Sequence, residues 1–490
     1  MTQDIASPQS RRFVLVAAIL ASSMGFIDGS VISIAIPAIR ADLGATLADA
    51  QWVSNGYLLF LSALILLGGA AGDRFGLRKM FGLGIAVFVA ASLICAVAPT
   101  PLVLVIARAV QGAGAAFMVP GSLAIIAKAY PREERGRAIG IWAAASSLTT
   151  IGGPIIGGFM LTALGDWSWR LVFAINLPLG VAALALLWLR VAPDQPEAGR
   201  RLDVVGAVLA TLALMLIAYG LTGDGSESVP PMSHTIAWCG AGLVLAMGFL
   251  FWERRTASPM LPLRLFANVG FSGANALTFA LYFALGGTMF FLPMTMIGGW
   301  GQSPATVSLA LLPLGIVLTV LSSFSGRWAD RFGPGPLIAL GSLLVAAAFA
   351  GLGLTASWHS VWTGVLPCIV LLGLGMGLVV SPLSTAVMTS VDDKDTGVAS
   401  GVNNAVARVA GLVAVALLGA VVASVFEQSL GTAAELPIFF GLPVDGLSAD
   451  EDALRLAATD AAFATVAYVT AGLSLVSAAV AWLTLERKPG

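Results

Sequence analysis

The chain has 490 residues, is 58% hydrophobic and only 10% charged, and has a mean hydropathy of +0.93 and a net charge of −1. A soluble domain carries about 25% charged residues, so this chain cannot cover itself with a water-soluble surface. The near-zero net charge, with basic residues scattered between apolar blocks, gives no footing for nucleic acid, which leaves a polytopic membrane protein embedded in the lipid bilayer.

The N-terminal "MTQDIASPQSRR" resembles the basic start of a signal peptide. The apolar run after Arg12, however, outlasts a cleavable core and has no A-x-A site, so it reads as a retained first helix. A crossing needs about 20 apolar residues. On that basis fourteen spans are predicted, near 13–37, 52–71, 80–99, 102–127, 138–163, 171–190, 204–222, 235–252, 271–293, 305–325, 336–356, 361–385, 400–425 and 460–484.

The first span holds Asp28, the one carboxylate well inside an apolar run. The second holds Asn55 and Tyr57, the fourth Arg108 and Gln111, and the thirteenth Asn403, Asn404 and Arg408. Between spans 13 and 14 an acidic segment, 428–459 (Glu435, Asp445, Asp450, Glu451, Asp452), reads as an exposed loop with room for a short helix. Cys95, Cys239 and Cys368 all sit in apolar segments, and an odd set of thiols argues against a disulfide framework or metal site. His234 and His359 are predicted in outer loops, with no catalytic partner. No nucleotide-binding G-x-x-x-x-G-K-[ST] occurs.

With the N-terminus inside, 20 of the 25 basic residues fall in inside segments, among them Arg11, Arg12, Arg74, Arg78, Lys79, Lys128, Arg200, Arg201, Arg487 and Lys488. Arg40, Arg170 and Arg455 fall outside, and Arg108 and Arg408 within spans. That asymmetry fits the positive-inside rule and puts both termini in the cytoplasm.

Two charged turns repeat. Gly69, Asp73, Arg74, Phe75 and Gly76 recur as Gly326, Asp330, Arg331, Phe332 and Gly333 at an offset of 257. Downstream, Gly112, Gly114, Gly136 and Gly140 match Gly373, Gly375, Gly397 and Gly401 at an offset of 261. Such a repeat is a transporter signature. The expected organisation is therefore a cytoplasmic N-terminus (1–12), a six-helix half (13–200), an inserted helix pair 7 and 8 (201–255), a second six-helix half (256–484) and a cytoplasmic tail (485–490). The competing explanation is convergence of charged inside loops, which does not account for the shared D-R-F-G.

"GAAGDRFGLRK" resembles the inside-loop signature of the major facilitator superfamily through Gly69, Asp73, Arg74, Gly76, Arg78 and Lys79. "RAVQGAGAA" is similar to its fourth-helix signature (Arg108, Gln111, Gly112, Gly114). "IGGPIIGG" resembles its fifth-helix antiporter signature (Gly153, Pro154, Gly157, Gly158). "DGSVISIAIPAI", "WRLVFAINLPLG" and "GVASGVNNAVARVAG" resemble the fourteen-helix drug:proton antiporter branch, with Ser30 and Ser33 where that branch usually has Thr and Asn. The resemblance implies an all-α fold of two six-helix halves in the cell's inner membrane.

Physical reasoning adds roles. A charge at the bilayer centre costs roughly 2.5–3.5 kcal/mol, so Asp28 should face a partner or a wet cavity. Asp28 and Arg108 fall at similar depth and could pair if helices 1 and 4 are neighbours, as the resemblance implies. Asp28 would carry the coupling proton with Arg108 tuning it; the plain alternative is a static salt bridge. Gly153 and Gly157 form a small-xxx-small face, and Pro154 bends the helix; packing alone, or a seal against proton leak, are both open. Asp73 could latch onto the positive N-terminus of a helix from the other half, with Arg74 and Arg78 in ion pairs. The second copy, Asp330 and Arg331, lacks the Arg-Lys tail and should latch more weakly. Asn55, Tyr57, Gln111, Asn403 and Asn404 could line the cavity or bond between helices, and Arg408 could line it too.

The expected function is proton-coupled export of small amphipathic organic compounds, driven by the proton gradient with no cofactor, by a monomer that works by alternating access. A periplasmic adaptor is left unassigned. The alternatives are a specific metabolite or natural-product transporter, or a non-transporting receptor or scaffold. No nucleophile, base or metal constellation points to an enzyme.

Overall fold

The structure, a computed structural model, describes residues 10–194, 202–224, 230–431, 438–442, 444 and 446–485. Arg200, Arg201, Glu435, Asp445, Arg487 and Lys488 lie outside the described residues. Fourteen helices among those described are long and apolar enough to cross a membrane. They are α1 (Arg11–Leu43), α2 (Leu47–Phe75), α3 (Leu77–Ala96), α4 (Pro101–Ala129), α5 (Arg132–Leu164), α6 (Asp166–Arg190) and α7 (Val204–Thr222). The rest are α8 (Met232–Arg255), α9 (Val269–Gly299), α10 (Pro304–Phe332), α11 (Pro334–Trp358), α12 (Val361–Thr389), α13 (Thr396–Leu430) and α14 (Ala449–Thr484). No strand occurs among the described residues.

Each expected span overlaps one of these helices, and most of the helices run further. The apolar window ends where the hydrocarbon does, but capped polar turns stay helical beyond it. α2 opens with a reciprocal capping box between Thr46 and Asp49, and α14 with one between Ser448 and Glu451. An even number of crossings puts the start of α1 and the end of α14 at one face of the bundle, the termini end, opposite the far end.

Helices α1–α6 pack mainly among themselves, as do α9–α14. α7 and α8 pack on each other, and α7 reaches α2 and α13. The two groups share close backbone contacts at matching positions. A Cβ on Gly112 would sit 2.3 Å from the Tyr57 carbonyl of α2, and one on Gly373 3.3 Å from Leu314 of α10. A Cβ on Gly114 would meet Phe88 N at 2.7 Å and Gly84 O at 3.0 Å; on Gly375 it would meet Val345 N at 2.9 Å and Gly341 O at 2.6 Å. Tyr57, Gly84 and Phe88 precede Leu314, Gly341 and Val345 by the same 257 residues as the charged turns. The repeat is therefore a repeat of helix approaches as well as of letters. Both turns hinge on one glycine, Gly76 (φ 96°) and Gly333 (φ 83°), a conformation a side chain would strain.

The far end is closed by contacts between the groups. Arg40 donates to the Phe440 carbonyl (2.5 Å), Gln51 to the Val415 carbonyl (2.5 Å), and the Ala305 N–H to Thr162 Oγ1 (2.9 Å). Here the expected exposed loop at 428–459 is corrected. α13 continues to Leu430 and α14 begins at Ala449, while Ile438 and Phe440 are buried, Phe440 stacking edge-on against Phe291 and Phe426. The apolar side chains of this segment plug the far end because they gain more from burial than from water.

The three basic residues assigned to outer loops are likewise helical and employed. Arg40 closes α1. Arg170 of α6 pairs with Asp42, and Arg455 of α14 donates to the Gly298 and Gly299 carbonyls (3.3 and 3.2 Å). His234 lies in the first turn of α8 rather than in a loop; His359 does lie between helices, 2.7 Å from Asp460. Near the termini end, a Cβ on Gly136 or Gly140 of α5, or on Gly397 of α13, would meet nothing within 4 Å.

Candidate functional site

Asp28 and Arg108 meet in the interior of α1–α6. Arg108 Nη1 lies 2.5 Å from Asp28 Oδ2, with the side chains 1% and 0% exposed. The same nitrogen donates to Gln111 Oε1 (2.7 Å), and Nε to the Val53 carbonyl (3.0 Å). The guanidinium also lies 4.3 Å over the Tyr57 ring. Gln111 Nε2 donates to Asp28 Oδ1 (3.0 Å) and to Ser92 Oγ (2.9 Å), which also accepts from Asn176 (3.2 Å). Each carboxylate oxygen thus has a donor. A buried ion pair is tolerated only when its remaining valences are met in this way, and removing one partner costs about 3–5 kcal/mol. Through both oxygens of Asp28, Arg108 and Gln111 thus tie α4 to α1.

Not every residue expected to line a cavity does so. Gln111 and Asn55 are 0% exposed and Tyr57 5%. Gln111 is consumed by the ion-pair network, while both side-chain polar atoms of Asn55 lack a partner. Asn403 donates to Thr278 (2.8 Å) and Asn275 (3.2 Å) inside the second group; Asn404 is exposed and donates only to its own helix at Ser400. Arg408 lies on α13 within electrostatic reach of the Tyr57 and Tyr282 phenols, and its Nε is buried without an acceptor.

Three glycines of the fifth-helix motif face two different helices. A Cβ on Gly153 or Gly157 would strike α1, at Ser30 Oγ (2.9 Å) and Val31 Cγ1 (2.4 Å). One on Gly158 would strike α10, at Ser308 Oγ (1.9 Å) and the Pro304 carbonyl (2.6 Å). The motif wedges α5 between the first group and the second.

At the first charged turn the carboxylate on a helix N-terminus is Asp194, which the sequence reading missed. It accepts from the N–H groups of Leu77 (2.7 Å) and Arg78 (3.0 Å) at the start of α3, and from Lys128 (3.0 Å). Burial would raise its pKa, but those N–H donors and Lys128 outweigh burial and hold it below the usual carboxylate range. Arg78 donates to the Trp188 carbonyl (2.8 Å) and stacks on that ring, and Arg74 stacks on Phe75. In the second copy Pro334 opens α11 with no N–H to cap.

Glu253 and Asp203, also missed, form a buried acid pair where α8 meets α7, 3% and 7% exposed. Asp203 Oδ1 accepts from Gly206 N (2.8 Å) and Trp252 Nε1 (2.8 Å), and Glu253 Oε2 from Leu261 N (2.9 Å). Their other oxygens, Asp203 Oδ2 and Glu253 Oε1, lie 2.6 and 2.7 Å from an ideal Cβ on Gly206, and neither has a hydrogen-bond partner among the described residues.

Comparison with known proteins follows the same lines. The family model described as Major Facilitator Superfamily matches residues 18–415 and 276–490. The chain is 32% identical over 420 residues to the tetracenomycin C resistance and export protein of Streptomyces glaucescens (84% of this chain, 76% of that one). It is 34% identical over 428 residues to the probable actinorhodin transporter of Streptomyces coelicolor (84% and 72%). It is 32% identical over 410 residues to the methylenomycin A resistance protein of Bacillus subtilis (84% and 87%). Among solved structures, a bacterial homolog of the human lysosomal transporter Spinster superposes with a TM-score of 0.71 at 19% identity, covering 98% of both chains.

Proposed function

The chain belongs to the Major Facilitator Superfamily, and from that premise we propose that it exports small amphipathic organic compounds in exchange for protons by alternating access. It is a multi-pass membrane transporter and not an enzyme. The termini end faces the cytoplasm, where Arg11, Arg12, Arg74, Arg78, Lys79 and Lys128 gather, and the membrane is the cytoplasmic one. The observation that carries the proposal is the Asp28–Arg108 pair, a titratable carboxylate held by a guanidinium in the middle of the span.

With the far end sealed and α5 open toward the termini end, the arrangement is the inward-facing member of the cycle. Protonation of Asp28 releases Arg108 and frees α1 to shift on α4; loss of the proton restores the pair. Gly69, Asp73, Arg74, Gly76, Arg78, Lys79 and, more weakly, Asp330 and Arg331 form the cytoplasmic latch that closes in the opposite state. Gly153, Pro154, Gly157 and Gly158 keep the far seam tight against proton leak. The proton gradient is the energy source, with no cofactor, and a monomer is the working unit.

Three relatives support a second reading, since each is named for one compound (tetracenomycin C, actinorhodin, methylenomycin A), whereas a Mycobacterium tuberculosis relative, 31% identical over 414 residues, is named a multidrug resistance protein. A dedicated natural-product exporter would use the same machinery. A panel of amphipathic compounds on proteoliposomes under an imposed pH gradient tests both. Gradient-driven flux of many compounds supports broad efflux and flux of one supports the dedicated exporter. Flux indifferent to the gradient would overturn proton coupling.

A further inference from the structure

Arg408 and Arg108 are the two arginines lodged mid-span, and only Arg108 is neutralised. Arg408 sits twelve residues past Thr396, about 18 Å along α13, where a cation is costly. Among the described residues it makes no hydrogen bond or ion pair, and its Nε is buried. Around it are groups that carry no negative charge: the Tyr57 and Tyr282 phenols, and Asn404 one turn earlier on the same face.

α13 runs along α2 at the seam between the halves: a Cβ on Gly401 would lie 3.0 Å from Leu66, and one on Gly411 3.9 Å from Leu58. Arg408 falls between those two levels. From the termini end toward it, the same face of α13 carries Gly397, with nothing within 4 Å of a Cβ, Gly401 against Leu66, and exposed Asn404. The charge count along this seam is therefore one uncompensated positive, beside aromatic rings and leucines.

We propose that Arg408 is the substrate-reading residue and that the transported class is organic monoanions: carboxylates, sulfonates or acidic phenols on an apolar ring body. This rests on the export reading above. An anion supplies the acceptor and the counter-charge that Arg408 lacks; a neutral compound supplies only the first, and a cation is repelled. Lys at this position would keep the charge and lose the planar fork.

The test uses two fluorescent probes with one ring system: anilinonaphthalenesulfonate, an anion, and phenylnaphthylamine, which is neutral. Binding to the purified full chain in phosphatidylcholine vesicles, which offer no anionic headgroup, is read by energy transfer from tryptophan and corrected with protein-free vesicles. Arg408→Gln should weaken the sulfonate by about tenfold or more while leaving the neutral probe within about twofold, and Arg408→Lys should restore part of the loss. Equal loss of both probes, unchanged sulfonate binding, or no protein-dependent sulfonate binding in the wild type would each overturn the assignment. pH-driven flux measured in the same vesicles separates the two claims. Flux without charge discrimination sinks the assignment and leaves export; discrimination without flux sinks export and leaves the assignment.

Discussion

The two six-helix groups share a skeleton and differ in what it carries. Gly112 and Gly114 in the first, and Gly373 and Gly375 in the second, bring the same helices to the same close approach. Into that common frame the first group sets Asp28, Arg108, Gln111 and Ser92, a network with every carboxylate oxygen engaged. The second sets neutral Asn275, Thr278 and Asn403, and leaves Arg408 without a partner. The charged turns diverge likewise: Asp194 caps α3 after the first, while Pro334 removes one of the N–H groups a cap would serve after the second. Backbone approach is set by the fold and must repeat. Buried charge is set by the task, and in the reading proposed above the tasks are split, proton handling in the first half and ligand reading in the second.

The sharpest way to break that division is Asp28→Asn. It removes the titratable group but keeps the hydrogen-bonding shape, so gradient-driven transport should fall by about a hundredfold or more, while counterflow of substrate without a gradient survives. Gradient-driven transport that persists in Asp28→Asn would place the coupling proton elsewhere, with the Glu253–Asp203 pair the next group to test. Arg108→Gln should be harsher on the fold, costing about 3–5 kcal/mol by leaving a buried carboxylate unpaired, read as a drop in melting temperature in detergent.

Next in size is the seam joining the halves. Gly158→Val places a branched side chain where Ser308 Oγ lies 1.9 Å from an ideal Cβ, so the far end cannot close and transport should be lost. Gly152→Ala, with nothing within 4 Å, is the matched control and should be neutral or stabilising by a few tenths to about 1 kcal/mol. Cysteine accessibility at the far end should rise for the first variant and not for the second.

These contrasts mark what could be read before the fold was known. Fourteen apolar windows and the D-R-F-G echo are local signals, and they carried the span count and the repeat. Asp28 and Arg108 stand out because a charge within an apolar run is anomalous wherever it points. Ser92 and Asn176 carry no charge, and their part in the network exists only once α3 and α6 stand beside α4. In sequence Asp194 is one more acid in a linker, and Glu253 stands beside Arg254 and Arg255 at the charged end of a span. The Phe440 plug was hidden by the acids around it, whose charges describe the rim of the segment and not its centre.

The asymmetry of the turns predicts a smaller effect. Asp194→Ala removes a cap on two N–H groups and the partner of Lys128, and should cost about 1–2 kcal/mol. The sign of its pH dependence follows from its lowered pKa. The stabilisation is fully present above the ordinary carboxylate value and is lost as pH falls through the lower folded value, so the variant and the wild type should converge only in strongly acidic buffer. Within the proposed latch, Asp73→Asn should slow transport more than Asp330→Asn, because Asp194, Lys128 and Arg78 tie the first turn to α4 and the end of α6, and the second copy lacks the Arg-Lys tail. Equal slowing would show that the second copy keeps a full latch.

The smallest expected effect separates packing from proton traffic. Asn55 is fully buried in α2, two residues before Tyr57 and two after Val53, whose carbonyl holds Arg108, yet neither end of its amide has a partner. A buried polar group without a partner costs about 1–3 kcal/mol, so Asn55→Leu, nearly the same shape, should be neutral or mildly stabilising if Asn55 serves the fold alone. If the amide instead recruits water that brings the proton to Asp28 in another state of the cycle, the same variant should melt no lower but transport more slowly, by about two- to tenfold, with the deficit shrinking as the imposed pH gradient grows. A slower transporter with a lower melting temperature would mean only that leucine fits badly. The informative outcome is a stable protein that couples poorly, which would extend the proton machinery of the first half from α1 and α4 to α2, the helix that faces Arg408 across the seam.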